Sequence, residues 1–141
     1  MVLLAGIEGG GTKFKCAVAT EDLKILRSKS IDTSFPKETL DGVKDFFLAC
    51  QDDIGRIASI GIGCFGPAQV NSESPKYGHI ETTPKQGWSN LDVLGFFKRF
   101  FHVPLAFDTD VNVAARSELK LGAAKDYKNF AYVTVGTGVG V

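Results

Sequence analysis

Residues 7–13, Ile-Glu-Gly-Gly-Gly-Thr-Lys, and residues 135–140, Val-Gly-Thr-Gly-Val-Gly, share one make-up. Each is an apolar, strand-like run that breaks into glycines with a threonine among them. Glycine has no Cβ, so backbone N–H groups can approach an anion closely, and a threonine hydroxyl can donate to the same oxygens. Two such turns in one chain point to a polyphosphate gripped from two sides. The candidate contacts are Gly10, Gly11, Thr12 and Lys13 in the first turn, and Gly136, Thr137 and Gly138 in the second. The first turn is not a P-loop: Thr12-Lys13 reverses the required Lys-[Ser/Thr] order, and a strand follows where a helix is needed. Its plain alternative is a hairpin turn between two strands. Glu8 precedes it and could hold Mg²⁺ through water, because hard cations take carboxylate oxygen and keep several waters. The alternative for Glu8 is a solvent-facing carboxylate at a strand end.

Asp108-Thr109-Asp110-Val111-Asn112 begins like a calcium loop. Val113 stands where glycine is needed and Leu119 where glutamate is needed, so that chemistry fails. Two readings survive, a helix N-cap and a general base. A helix N-terminus favours an ionised carboxylate, which can take the proton of a sugar hydroxyl as its oxygen attacks the γ-phosphorus of ATP. The two roles could be split, Asp108 structural and Asp110 chemical. Gly61–Gly66 matches GxGxxG letter for letter, but Pro67 and a loop follow it, so no helix N-terminus is available for a pyrophosphate. A Gly66-Pro67 turn at a strand end instead gives room for a small ligand.

These residues need a scaffold, and the hydrophobic pattern supplies one. Leu3–Glu8, Phe14–Thr20 and Lys24–Ile31 read as three strands with links short enough for an antiparallel meander. Pro36 opens a helix to about Asp52, with Leu40, Val43, Phe46, Phe47 and Cys50 at helical spacing. Ile57–Ile62 is a fourth strand, 68–89 a long loop, and Leu91–Phe101 an amphipathic helix. Pro104–Phe107 is a fifth strand. Asp110–Leu121 is a helix with Val111, Ala114, Ala115 and Leu119 inward and Gly122 as its stop. Phe130–Val135 is a sixth strand. Trp88 and the phenylalanines 96, 97, 100 and 101 are expected to pack the interior. Right-handed crossovers then order an α/β sheet 3-2-1-4-5, a ribonuclease H-like (actin-like ATPase) arrangement with helices on both faces. Glu8, Gly63–Pro67 and Asp108–Asp110 all fall at the carboxyl ends of parallel strands, where open α/β sheets bind ligands.

Composition excludes several classes. Sixteen basic and sixteen acidic residues cancel, so no global field draws the chain to nucleic acid or to an anionic membrane. The apolar runs are too short for a membrane span. Cys16, Cys50 and Cys64 are widely spaced in apolar context and are expected to be buried reduced thiols, which points to the cytoplasm. With only His79 and His102 and no CxxC pair, a zinc site within these residues is not expected.

The four motifs Glu8–Lys13, Gly63–Pro67, Asp108–Ala115 and Val135–Gly140, in that order, resemble the ROK sugar kinases (repressor, open reading frame, kinase). Glu8, Asp-Thr-Asp at 108–110, and Thr82-Thr83-Pro84-Lys85 with Trp88 resemble the bacterial fructokinases of that family most. The resemblance implies ATP- and Mg²⁺-dependent phosphorylation of a hexose hydroxyl, most simply fructose to fructose 6-phosphate, between two lobes of a homodimeric enzyme. It implies Asp110 as the base, Gly10–Lys13 and Gly136–Gly138 as phosphate turns, and Gly66, Pro67, Thr109 and Asp110 as sugar contacts. Residues 1–122 would be the N-terminal small lobe and 123–141 the first strand and phosphate turn of a second lobe. ROK kinases continue for roughly as many residues again, and a structural zinc is expected only in that further part. On this view the chain is an N-terminal half, inactive alone. The alternative is a non-catalytic lobe that binds sugar or phosphate and self-associates. A ROK repressor is disfavoured because no helix-turn-helix precedes the first strand, and an actin- or chaperone-like ATPase because the Asp110 helix follows the fifth strand so closely.

Overall fold

The computed structural model describes residues 1–141. Five strands, β1 (Leu3–Gly9), β2 (Lys13–Thr20), β3 (Ile25–Asp32), β4 (Ile57–Cys64) and β5 (Leu105–Thr109), form one mixed sheet in the order β3-β2-β1-β4-β5. The β1–β2–β3 meander is antiparallel, while β4 runs parallel to β1 and β5 parallel to β4. The architecture is the one the pattern predicts, and its reason is visible in the links. Residues 10–12 and 21–24 are too short for anything but antiparallel returns. Helix α1 (Pro36–Ile54) provides the crossover that a parallel neighbour requires.

Alternation divides the sheet into two unlike faces. Leu3, Ala5 and Ile7 of β1, and Phe14, Cys16 and Val18 of β2, point to one side and are buried. There they meet Leu40, Val43, Phe47 and Cys50 of α1, whose predicted spacing is observed. Trp88 is fully buried in the same core, 5.4 Å from the Phe14 ring and 5.2 Å from the Phe65 ring. The opposite face carries Gly6, Glu8, Gly61 and Gly63, and helix α3 (Asp110–Leu121) packs only over its β4–β5 side.

Three expectations are corrected and one is observed. Helix α2 is short, Val93–Lys98: the Asp92 carboxylate caps it by accepting from the Gly95 N–H at 2.7 Å, and its end tightens into a turn in which the Phe100 and Phe101 N–H groups share Phe97 O. The expected loop over 68–89 is observed, and within it bridges Ala68–Ile80 and His79–Asp92 fold the chain back on itself while Ile80 and Trp88 anchor it in the core. The sixth strand shrinks to β6 (Thr134–Val135), paired antiparallel with β7 (Val139–Gly140), so its edge is covered by its own continuation. No residue of α3 is fully buried, and Leu119, expected inward, is exposed. Of the predicted stripe, Val111, Ala114 and Ala115 are partly covered, Val111 by Gly140 of β7, while Leu119 faces outward.

Candidate active site

The Gly10–Thr12 turn joins β1 to β2 with its carbonyls directed into the protein. Gly10 O accepts from the Thr33 hydroxyl at 2.8 Å, Thr12 O from the Thr33 N–H at 2.9 Å, and Gly11 O from the Lys85 ammonium at 2.7 Å. The N–H groups of Gly11 and Thr12 have no partner in the chain. A turn whose acceptors are satisfied and whose donors are free can receive an anion. The second glycine turn, between β6 and β7, likewise leaves the N–H groups of Thr137 and Gly138 free. The two turns meet: the Thr12 and Thr137 hydroxyls are 2.9 Å apart. Lys13, by contrast, sits on β2 with its ammonium 3.4 Å from Asp32.

Register sets the acidic side of the site. Glu8 of β1 pairs with Gly63 of β4, and Gly63 pairs with Asp108 of β5, so one row crosses the sheet just below its carboxyl edge. Gly63 is where α3 comes down. A Cβ there would stand 2.9 Å from Val113 Cγ2 and 3.1 Å from Val113 Cβ, closer than a packed side chain allows. Glycine at 63 therefore lets the first turn of α3 rest on the sheet. Gly66 lies beside Thr109, with 3.9 Å from an added Cβ to Thr109 Cγ2. Pro67 lines a separate polar hollow of about 550 Å³ with Gln69, Lys76, His79 and Glu81.

The three residues that open α3 divide the labour. Thr109 is the N-cap, its hydroxyl oxygen accepting from the Asn112 N–H at 3.1 Å. Thus neither aspartate caps the helix, because the Thr109 side chain is the one aligned with the exposed N–H. Asp108 accepts from the Thr109 N–H at 2.8 Å and the Asn112 side chain at 2.6 Å, and Arg116 approaches it at 3.5 Å. Asp110 is the freer carboxylate: one oxygen accepts from the Val111 N–H at 3.0 Å, and no side chain bonds the group. Burial raises the Asp110 carboxyl above its ordinary value, opposed by backbone N–H donors and reinforced by the charge of Glu8. Asp110 and Glu8 line a cleft of about 310 Å³ with Gly63, Val113, Glu118 and Tyr132.

Glu8 is exposed and 3.6 Å from Lys15, and no three His, Cys, Asp or Glu side chains converge on a common metal position. A single accessible carboxylate beside an anion receptor suits Mg²⁺ that is carried mainly by phosphate and water, since that ion is held by one or two carboxylates plus phosphates. Lys85 belongs to the Thr82–Lys85 motif, but that motif implies no role for its side chain. The tertiary contact with the Gly11 carbonyl is what brings its ammonium to the turn.

A family model described as the ROK family matches residues 4–141. The chain belongs to the ROK family. Among ROK relatives, the fructokinase of Pediococcus pentosaceus is 49% identical over 139 residues, which cover 99% of this chain and 46% of that protein. The fructokinase of Zymomonas mobilis is 46% identical over 135 residues, 95% of this chain and 45% of that one. A ROK glucokinase from Streptomyces griseus, solved in complex with glucose and AMPPNP, has the same fold. It superposes with a TM-score of 0.81 at 23% identity, over 98% of this chain and 43% of that one. The chain thus spans about half the length of the curated ROK relatives it matches. No helix is long and apolar enough to cross a membrane.

Proposed function

We propose that this chain supplies one wall of the catalytic cleft of a hexose kinase that moves the γ-phosphoryl group of ATP to a sugar hydroxyl, with fructose as the acceptor. The observation that carries the reading is the shared sheet edge. A half-buried carboxylate with no side-chain partner, Asp110, lines the same cleft as Glu8, which runs directly into the Gly10–Thr12 anion receptor. Fructose is favoured because the relatives called fructokinases align over nearly the whole chain.

In this mechanism the free N–H groups of Gly11, Thr12, Thr137 and Gly138 hold phosphate oxygens with Lys13 beside them, while Gly10 and Gly136, whose N–H groups donate to Lys13 O and Gly138 O, shape the two turns. Gly66 and Thr109 hold the sugar beside Asp110, and Pro67 fixes the turn that presents Gly66. The Asp110 carboxylate accepts the hydroxyl proton while the sugar oxygen forms its bond to the γ-phosphorus. The bond from that phosphorus to the bridging oxygen breaks, and ADP leaves with the electron pair. Glu8 would hold Mg²⁺ through water, and that ion supplies charge neutralisation on the phosphates. Residues 123–141 are proposed to open a second lobe, with closure over the cleft excluding water. Cytoplasmic residence and a homodimer fit this reading.

A coupled assay of ADP release with fructose, glucose, mannose and N-acetylmannosamine tests it, on this chain and on the protein at its natural full length. Fructose-dependent turnover at full length supports the kinase. A second reading, a sugar- or phosphate-binding lobe that self-associates without catalysis, draws on the exposed Val133, Val135, Val139 and Leu121. Silence with every sugar at full length favours it.

A further inference from the structure

Two of the chain's lysines, Lys44 and Lys85, are half-buried, and the rest are exposed. Lys44 is held by the carboxylates of Asp41 and Asp45 at 3.0 and 3.2 Å. Lys85 has no carboxylate within 4 Å, although both other lysines near the glycine turn do: Lys13 has Asp32 and Lys15 has Glu8. Partly burying an ammonium without a counter-charge is unfavourable, and the cost falls when an anion binds. The one protein group to which the Lys85 ammonium donates is the Gly11 carbonyl, in the turn whose N–H groups are free. An ammonium has three donors, so two remain for a ligand.

The loop that delivers Lys85 is built to hold it there. The Thr83 N–H donates to the Ser89 hydroxyl oxygen at 3.0 Å, and that hydroxyl donates back to Thr83 O at 2.9 Å, closing residues 83–89 into a ring. Within it, the Trp88 N–H bonds Lys85 O at 3.1 Å, and the indole N–H reaches Ser34 O at 2.9 Å. Gly87 has φ +83 and packs against Pro36, a conformation that β-carbon-bearing residues rarely adopt. A fully buried tryptophan and a left-handed glycine thus place one ammonium over the glycine turn.

We propose that Lys85 is a catalytic cation that binds the terminal phosphoryl group of the nucleoside triphosphate and neutralises its charge as that group is transferred. This inference rests on the hexose kinase reading above, and assigns within it a role separate from that of Lys13, whose exposed ammonium lies 3.4 Å from Asp32. The bond changes are those already given for the transfer. Lys85 forms no covalent bond and keeps its protons, while its two free N–H groups donate to phosphoryl oxygens whose charge is spread in the transition state.

The test compares wild type, Lys85→Met and Lys85→Arg, measured on the protein at its natural full length. Calorimetric titrations use Mg·ATP, Mg·ADP and inorganic tripolyphosphate, alongside hexose-dependent turnover and thermal unfolding. Lys85→Met is expected to weaken ATP and tripolyphosphate at least about tenfold while ADP changes little, and to lower kcat about 10²–10³-fold with an unchanged unfolding midpoint. Lys85→Arg should recover part of both losses. Equal losses for ATP and ADP, or a lowered midpoint that accounts for them, would mean a structural lysine and overturn the inference. Undiminished turnover in Lys85→Met overturns it too, and leaves the kinase reading intact. A wild-type protein that binds ATP but phosphorylates no hexose sinks the kinase reading. The ATP-against-ADP difference then decides Lys85 as a phosphate ligand alone.

Discussion

Asp110 and Glu8 line one cleft, and each predicts a different experiment. A base of this kind is worth about 10²–10⁴-fold in rate. Asp110→Asn keeps the size of the side chain and the Val111 contact but cannot take a proton. Turnover at full length should fall by that factor, with ATP affinity within about threefold of wild type. Near-normal turnover would refute the assignment. The raised carboxyl of Asp110 adds a pH signature. The folded chain holds this proton more tightly than the unfolded chain. Its stabilising contribution is therefore full below the unfolded-state pKa and lost as pH rises through the folded value. Base activity runs the other way and is lost as pH falls through that same value. Removing the neighbouring charge by Glu8→Gln should lower the Asp110 pKa, because Glu8 is one of the influences raising it. Carboxylate ¹³C NMR titration of wild type and Glu8→Gln checks the direction, and an unmoved or raised value would remove Glu8 from the account.

The elements decide how accurately those side chains can be aimed. The sheet order is legible in the sequence because link length and crossover handedness leave few alternatives. The Asp110–Leu121 helix is legible residue for residue, with Asp-Thr-Asp opening it and Gly122 ending it. Two things stay hidden at that level. The β6–β7 hairpin depends on pairing between two-residue strands, too short to produce a period. The Lys85–Gly11 contact joins positions that only the folded sheet brings together. Gly63 shows the finest dependence. Gly63→Ala should destabilise the chain by about 1–3 kcal/mol through overpacking against Val113. Val113→Ala should relieve most of that cost in the double variant. Urea unfolding of the four-member cycle measures the coupling, and simple additivity would show that α3 does not rest on this glycine.

At the scale of the whole molecule, one core serves the sheet, α1 and the 68–92 segment, and its thiols report on it. Cys16, Cys50 and Cys64 are all free and buried. Burial pushes Cys16 up to about 12, and Cys50 and Cys64 are raised by the same cause. At pH 8 the native chain should therefore leave all three unmodified by a disulfide reagent, and all three should react together through the urea transition. Stepwise reaction in native buffer would mean that the core opens in parts. The indole of Trp88 has a separate use. It is the chain's only tryptophan, sealed between Phe14 and Phe65 and tethered to Ser34. Selectively excited emission therefore comes from a single position, three residues from Lys85, and the protein carries its own optical gauge of how the 83–89 ring responds as ligands arrive.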